Sequence, residues 1–93
     1  MTARFTDTQG QYLAFIHTYR KLHRRAPAET DFQAYFRVTP PTAHRMIVTL
    51  TDRGLIQRRP GEARTIELLV SPEDLPPLRE PPVQSIETPE TGY

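Results

Sequence analysis

At 93 residues the chain holds one domain at most. Twelve Lys and Arg against eleven Asp and Glu leave a net charge of +1, and apolar residues make up 37%. The absence of cysteine excludes disulfides, cysteine-ligated zinc and thiol chemistry, and no apolar run approaches the roughly 18 residues of a membrane span.

The N-terminal segment lacks the apolar core of a secretory signal, so a cytoplasmic location is the default expectation. Thr6 and Gln9 form a capping-box pattern, which satisfies orphan amides at a helix start. Tyr12, Phe15, Ile16, Tyr19 and Leu22 then recur at helical spacing and predict a helix over 7–24. Gly10 in its first turns reads as a mild local cost. Pro27 disfavours helix in the residue before it and ends the pattern.

A short second helix follows. Phe32, Tyr35 and Phe36 supply its apolar face, and Glu29 and Asp31 sit where the helix dipole favours acids. It ends near Arg37. Thr39 and Pro40 then open a third helix, because threonine caps well and proline at the first position loses no hydrogen bond. Ala43, Met46, Ile47 and Leu50 line its inner side, and Gly54 supplies a left-handed stop. The turn 60–63 separates two strand-like runs, 56–59 and 65–70, with Ile66, Leu68 and Val70 facing inward. The fold class is therefore mainly α with a small β-hairpin. Three helices followed by a two-stranded ribbon make a winged helix-turn-helix.

Composition divides the chain at about residue 70. Residues 1–70 carry 11 basic and 6 acidic residues, a net +5. Residues 71–93 carry one basic and five acidic residues, a net −4, together with six of the ten prolines. Such a stretch can neither run a helix nor pair as a central strand, and it has little apolar surface to offset its ordering entropy. The expectation is a folded domain over 1–70 and a Pro-rich, acidic, disordered tail over 71–93. Leu75 and Leu78 can still dock.

The run from Thr42 to Leu69, TAHRMIVTLTDRGLIQRRPGEARTIELL, resembles the winged-helix DNA-binding domain of LexA repressors. The shared features are the proline-capped third helix, the Leu50, Gly54, Leu55, Ile56 ending, and the wing Gly61, Arg64, Ile66, Leu68. The first helix, Pro27 and the apolar second helix fall in register, so the resemblance covers about 1–70. Three departures stand out. Ala28 replaces the usual capping threonine of helix 2. Arg37 stands where glycine is usual in the turn. A second proline, Pro41, falls among the base-reading positions. The family's peptidase half, with its Ser/Lys dyad, has no counterpart: the only serines are Ser71 and Ser85 and the only lysine is Lys21. The expectation is no enzyme and no cofactor.

Basic residues are the functional signal. Pro41, Thr42, His44 and Arg45 point away from the expected core of helix 3. The resemblance places them, with Thr39, in DNA-facing slots, with double-stranded DNA as the partner and room for a homodimer on it. Arg45 can read guanine bidentately. The bland alternative is an ordinary solvated helix. Arg58, Arg59 and Arg64 flank the wing tip, where phosphate contact needs only positive charge. Arg64 is the best single candidate, against a plain pair with Glu62. Arg20, Lys21, Arg24 and Arg25 complement the dipole at the end of helix 1 as readily as they meet DNA. His17 and His23 do not share a face, so no metal site is expected, and the helical spacing of the aromatic residues marks them as core. The runner-up function is a protein-interaction module on the same fold.

Overall fold

The computed structural model describes residues 4–80. Its elements in chain order are α1 (Asp7–His23), α2 (Glu29–Phe36), α3 (Pro40–Asp52), β1 (Ile56–Gln57), β2 (Glu67–Leu68) and a 3-10 turn (Pro72–Asp74). The expected order of helices and ribbon is present.

The capping box at α1 forms as read. Thr6 Oγ1 accepts the Gln9 N–H at 3.1 Å, and Gln9 Oε1 accepts the Thr6 N–H at 3.0 Å. The helix ends one residue early, because Arg24 adopts a left-handed conformation with φ 61°. Its apolar face also stops short. Leu22, expected inside, is 72% exposed. The 17-residue α1 outruns the 8-residue α2, so the last turn lacks a full helical partner.

α2 begins without a side-chain cap, since Ala28 has no acceptor to offer. Asp31 restores half of a capping box: its Oδ2 accepts the Ala28 N–H at 2.8 Å. Aromatic packing joins α2 to α1. The Tyr12 ring lies parallel to Phe36 at 4.2 Å and to Phe32 at 5.5 Å, while Phe15 tilts against Phe32 at 5.0 Å. Such pairs add about 0.5–1.5 kcal/mol each beyond their buried area. Burial pushes the Tyr12 hydroxyl above its ordinary pKa. Arg37 closes α2 with φ 57°, the left-handed turn at which the resemblance expects glycine.

α3 is the most regular element. Thr39 caps it through the Thr42 N–H, and Pro40 opens it. Ala43, Ile47 and Leu50 are fully buried in the one core cluster that also takes in Tyr12, Phe15 and Phe32. Its end is a Schellman motif: the Gly54 N–H reaches Thr51 O and the Leu55 N–H reaches Leu50 O, both at 3.0 Å, with Gly54 at φ 75°. That closure turns the chain and drops Leu55 and Ile56 into the core.

The ribbon is shorter than expected. The runs 56–59 and 65–70 pair only at Ile56 with Leu68 and Gln57 with Glu67, antiparallel. Arg64, at φ 61°, leaves the extended conformation three residues before the ladder pair at Glu67. Ile66 and Val70 are buried as expected, and Leu68 is half-buried.

Residues 71–80 were read as the start of a disordered tail, but the structure packs them on the helices. Leu75 and Leu78 lie against the core. The buried amide of Gln11 donates to Pro77 O at 3.0 Å and accepts the Arg79 N–H at 2.8 Å. Tyr35 donates its hydroxyl to Arg79 O at 2.9 Å, and burial, then the Glu80 charge, raises its pKa. This segment is a strap across α1 and α2. The remainder of the expected tail, 81–93, lies outside the described residues.

Candidate nucleic-acid interface

The outer face of α3 carries four of the residues singled out above. Pro41, Thr42, His44 and Arg45 are all exposed, and the buried Ala43 and Ile47 fix their direction. Thr39 is engaged at the cap: its hydroxyl accepts the Thr42 N–H at 3.4 Å and donates to Thr42 Oγ1 at 3.0 Å. The two hydroxyls thus sit together at the helix start. The Arg45 side chain makes no hydrogen bond or ion pair among the described residues, so its five donors are available to a ligand.

His44 is held differently. Its Nδ1 lies 3.0 Å from Glu29 Oε2, and the same oxygen lies 3.8 Å from the Arg58 guanidinium. Glu29 therefore joins the start of α2 to α3 and to the wing. Sequence reasoning assigned this acid only to the helix dipole. Its partners lie 15 and 29 positions away, and only the packing of α2 on α3 brings them within reach.

The wing tip is built by Thr65 and a turn. The Glu62 N–H donates to Arg59 O at 3.1 Å, and Gly61 at φ 82° follows Pro60. These are the marks of a type II turn, with proline at its second and glycine at its third residue. Thr65 Oγ1 accepts the Arg59 N–H at 2.9 Å and shares its own proton between Arg59 O and Glu62 O. Arg59 projects from this frame, 70% exposed, and pairs only with the equally outlying Glu62 at 2.9 Å. Exposed pairs of this kind contribute about 0–1 kcal/mol and yield readily to a competing anion. Arg58 is mostly covered, with a buried Nε that has no hydrogen-bond partner.

Arg64 turns the other way. One of its terminal nitrogens lies 3.1 Å from Ala26 O and 3.2 Å from both Tyr19 Oη and Asp31 Oδ2. The guanidinium carbon sits 6.0 Å from the centre of the Tyr19 ring. The Tyr19 hydroxyl, ahead of the Asp31 charge, raises its pKa above the ordinary arginine value. The pairing with Glu62 weighed from sequence does not form, since Glu62 goes to Arg59 and Arg64 goes to Asp31. The structure thus brings Arg45, His44 and Arg59 to the outside of α3 and the wing, leaves Arg58 mostly covered behind the wing, and draws Arg64 inward.

Of the other basic residues, Arg20 reaches Ile66 O at 3.4 Å, and Arg24 closes α1. His23 packs its ring on Tyr19 at 4.2 Å. No group of three metal-ligating side chains occurs among the described residues, and no helix there is long and apolar enough to cross a membrane.

Three helices, a proline-capped third helix with an exposed outer face, and a two-stranded ribbon after it make this a winged helix-turn-helix domain. Within that class the chain resembles the LexA repressors. It is 34% identical to the LexA repressor of Thermosipho africanus over 68 residues, 73% of this chain and 34% of that protein. It is 31% identical to the LexA repressor of Thermosipho melanesiensis over 72 residues, 77% of this chain and 36% of that one. With the LexA repressor of Bartonella quintana it shares 32% over 71 residues, 75% of this chain and 30% of the relative. The chain spans about a third of the length of these curated relatives. No protein-family profile matches it.

Proposed function

We propose that this winged helix binds double-stranded DNA as a transcriptional repressor, with α3 in the major groove and the wing on the adjacent backbone. The observation that carries the reading is the outer face of α3: Pro41, Thr42 and His44 are exposed around an exposed Arg45 whose side chain has no partner among the described residues. The likeness to LexA repressors supports it. Arg45 reads guanine O6 and N7 with its planar fork. Thr39 and Thr42 offer hydroxyls at the helix start to a phosphate oxygen, and the Thr42 methyl offers apolar contact to a thymine methyl. Pro41 adds apolar surface beside them. With Nδ1 donating to the Glu29 carboxylate, the neutral tautomer of His44 presents Nε2 to the groove as an acceptor. Arg59 meets a phosphate by exchanging Glu62 for it, and Arg58 adds positive charge behind the wing. Binding is non-covalent and needs no cofactor.

The test is selection of bound sequences from a random duplex library, followed by titration of the enriched duplex at several salt concentrations. The expected result is one enriched motif, with affinity that falls as salt rises because bound phosphates release counterions. A palindromic motif would add a homodimer on DNA to the reading. No enrichment, together with no binding at low salt, overturns it in favour of a protein-interaction module.

A further inference from the structure

We infer that Arg64 is a positioning residue, which sets the wing against α1 and α2 and makes no DNA contact of its own; its consequence for affinity rests on the DNA-binding reading above.

At its base the wing is tied to the helices by two longer contacts, Arg58 to Glu29 at 3.8 Å and Arg20 to Ile66 O at 3.4 Å. The ladder ends after two residue pairs, so residues 58–66 extend beyond the paired ribbon. The Thr65 hydroxyl organises the tip internally but ties it to nothing outside the wing. Arg64 supplies the shorter, three-way link from the tip to the helices. Its guanidinium meets Tyr19 on α1, the Ala26 carbonyl on the α1–α2 connection, and Asp31 on α2, all within 3.2 Å. Asp31 Oδ2 also accepts the Ala28 N–H at 2.8 Å. One carboxylate oxygen therefore fastens both the start of α2 and the wing.

The backbone points the same way. Arg64 keeps φ at 61° although it is not glycine. Such a conformation persists where the surroundings over-determine it, and the three-way contact does so here. The side chain is about two-thirds covered, whereas Arg59 on the same wing is 70% exposed. The two arginines divide the work: Arg59 faces outward to a ligand, and Arg64 faces inward to the scaffold. To reach a phosphate, Arg64 would have to abandon three partners and release Asp31, an uncompensated negative charge, beside the DNA-facing wing.

Two measurements test this on the full chain. The first needs no DNA. Backbone order parameters of residues 59–65 are expected to fall in Arg64→Gln from about 0.85 to below about 0.6, with those of α3 unchanged. Tyr19→Phe removes one acceptor, leaves every charge in place and keeps the ring, so it folds readily. It is expected to loosen the same residues to a smaller degree. Unchanged wing order in both variants overturns the inference, and it does so whether or not the protein binds DNA. The second measurement uses the selected duplex. Asp31→Asn keeps an oxygen to cap Ala28 but removes the charge that holds Arg64. The clamp predicts weaker binding, roughly 3–10-fold, with the double variant Asp31→Asn/Arg64→Gln no weaker than Arg64→Gln alone, because paired residues lose one interaction only once. Were Arg64 a phosphate contact, removal of the neighbouring acid would strengthen binding, and that result overturns the inference. If the wild-type chain binds no duplex, the DNA-binding reading fails and the order parameters alone decide the clamp.

Discussion

Along α3 the buried residues make one stripe: Ala43, Ile47 and Leu50 face the core, and Pro41, Thr42, His44 and Arg45 face out. Along α1, every residue from Gln9 to Ile16 is buried, polar Gln9 and Gln11 among them. The core covers one side of this first half of α1 and the strap 71–80 crosses another, whereas the last turn, residues 20–23, is exposed. A helix with an uncovered side over a rigid inner stripe can present chemistry to a partner. A stretch of helix covered on all sides is scaffold. Under the proposed function the contrast gives recognition to α3 and support to the first half of α1, and it can be broken at either end.

The largest expected effect is on the inner stripe. Leu50 is fully buried and also takes part in the Schellman closure through its carbonyl. Leu50→Ala is expected to cost about 2–5 kcal/mol through lost transfer energy and a residual cavity. In a domain of this size that lowers the melting temperature by roughly 10 °C or more. A thermal melt by circular dichroism checks it. An unchanged melt would mean that the stripe is not the inner side of α3.

The strap comes next. Truncation after residue 70 exposes the Gln11 amide and uncovers the surface beneath Leu75 and Leu78. The two leucines are only part-buried, so the expected loss is about 2–3 kcal/mol from their apolar area and the broken hydrogen bonds. Truncation after residue 80 retains all of these contacts and is expected to melt within a few degrees of the full chain. Equal melts for the two truncations would show that α1 is scaffold without help from 71–80.

On the exposed side, Arg45→Ala is expected to leave the melt unchanged and to weaken binding to the selected duplex by about 1–3 kcal/mol, with relaxed preference at one base pair. Titration against the selected and a scrambled duplex checks it. Equal losses on both would make Arg45 a backbone contact and move specificity to His44 or Thr42.

The parts legible in the sequence are those encoded locally. Thr6 with Gln9, Thr39 with Pro40, and Gly54 each act within a few residues, and each forms as read. The stripe of α3 follows from one-sided burial, which periodicity reports. What was hidden depends on distant partners. Asp31 and Arg64 are 33 positions apart, Gln11 and Pro77 are 66 apart, and neither pair leaves a mark in spacing or composition. Arg64 illustrates the limit most plainly. In sequence it is one more cation near a wing tip, and only the left-handed turn at its own backbone swings it toward α1. The strap was masked by its prolines and acids. Those features exclude helix and central strand, but they leave an extended segment free to dock through carbonyls and two leucines.

Gly10 offers the finest test of the contrast. By helix propensity alone, Gly10→Ala would gain up to about 1 kcal/mol, since glycine loses most backbone freedom on folding. The wrapped α1 opposes that gain. A Cβ at position 10 would lie 3.0 Å from Phe5 Cε1 and 3.1 Å from Pro76 Cγ, both atoms of rigid rings. One ring belongs to the segment before α1 and the other to the strap, so the methyl group would wedge between them and the helix. Overpacking of this kind typically costs about 1–3 kcal/mol, which offsets the propensity gain and leaves a net loss of about 1 kcal/mol in the full chain. In the chain cut after residue 70, Pro76 is gone and the Phe5 ring has room to shift. The same substitution there is expected to be neutral or stabilising. Paired melts of the two backgrounds read the difference directly. If Gly10→Ala stabilises both by the same amount, the strap does not press on α1, and the glycine is there for no steric reason.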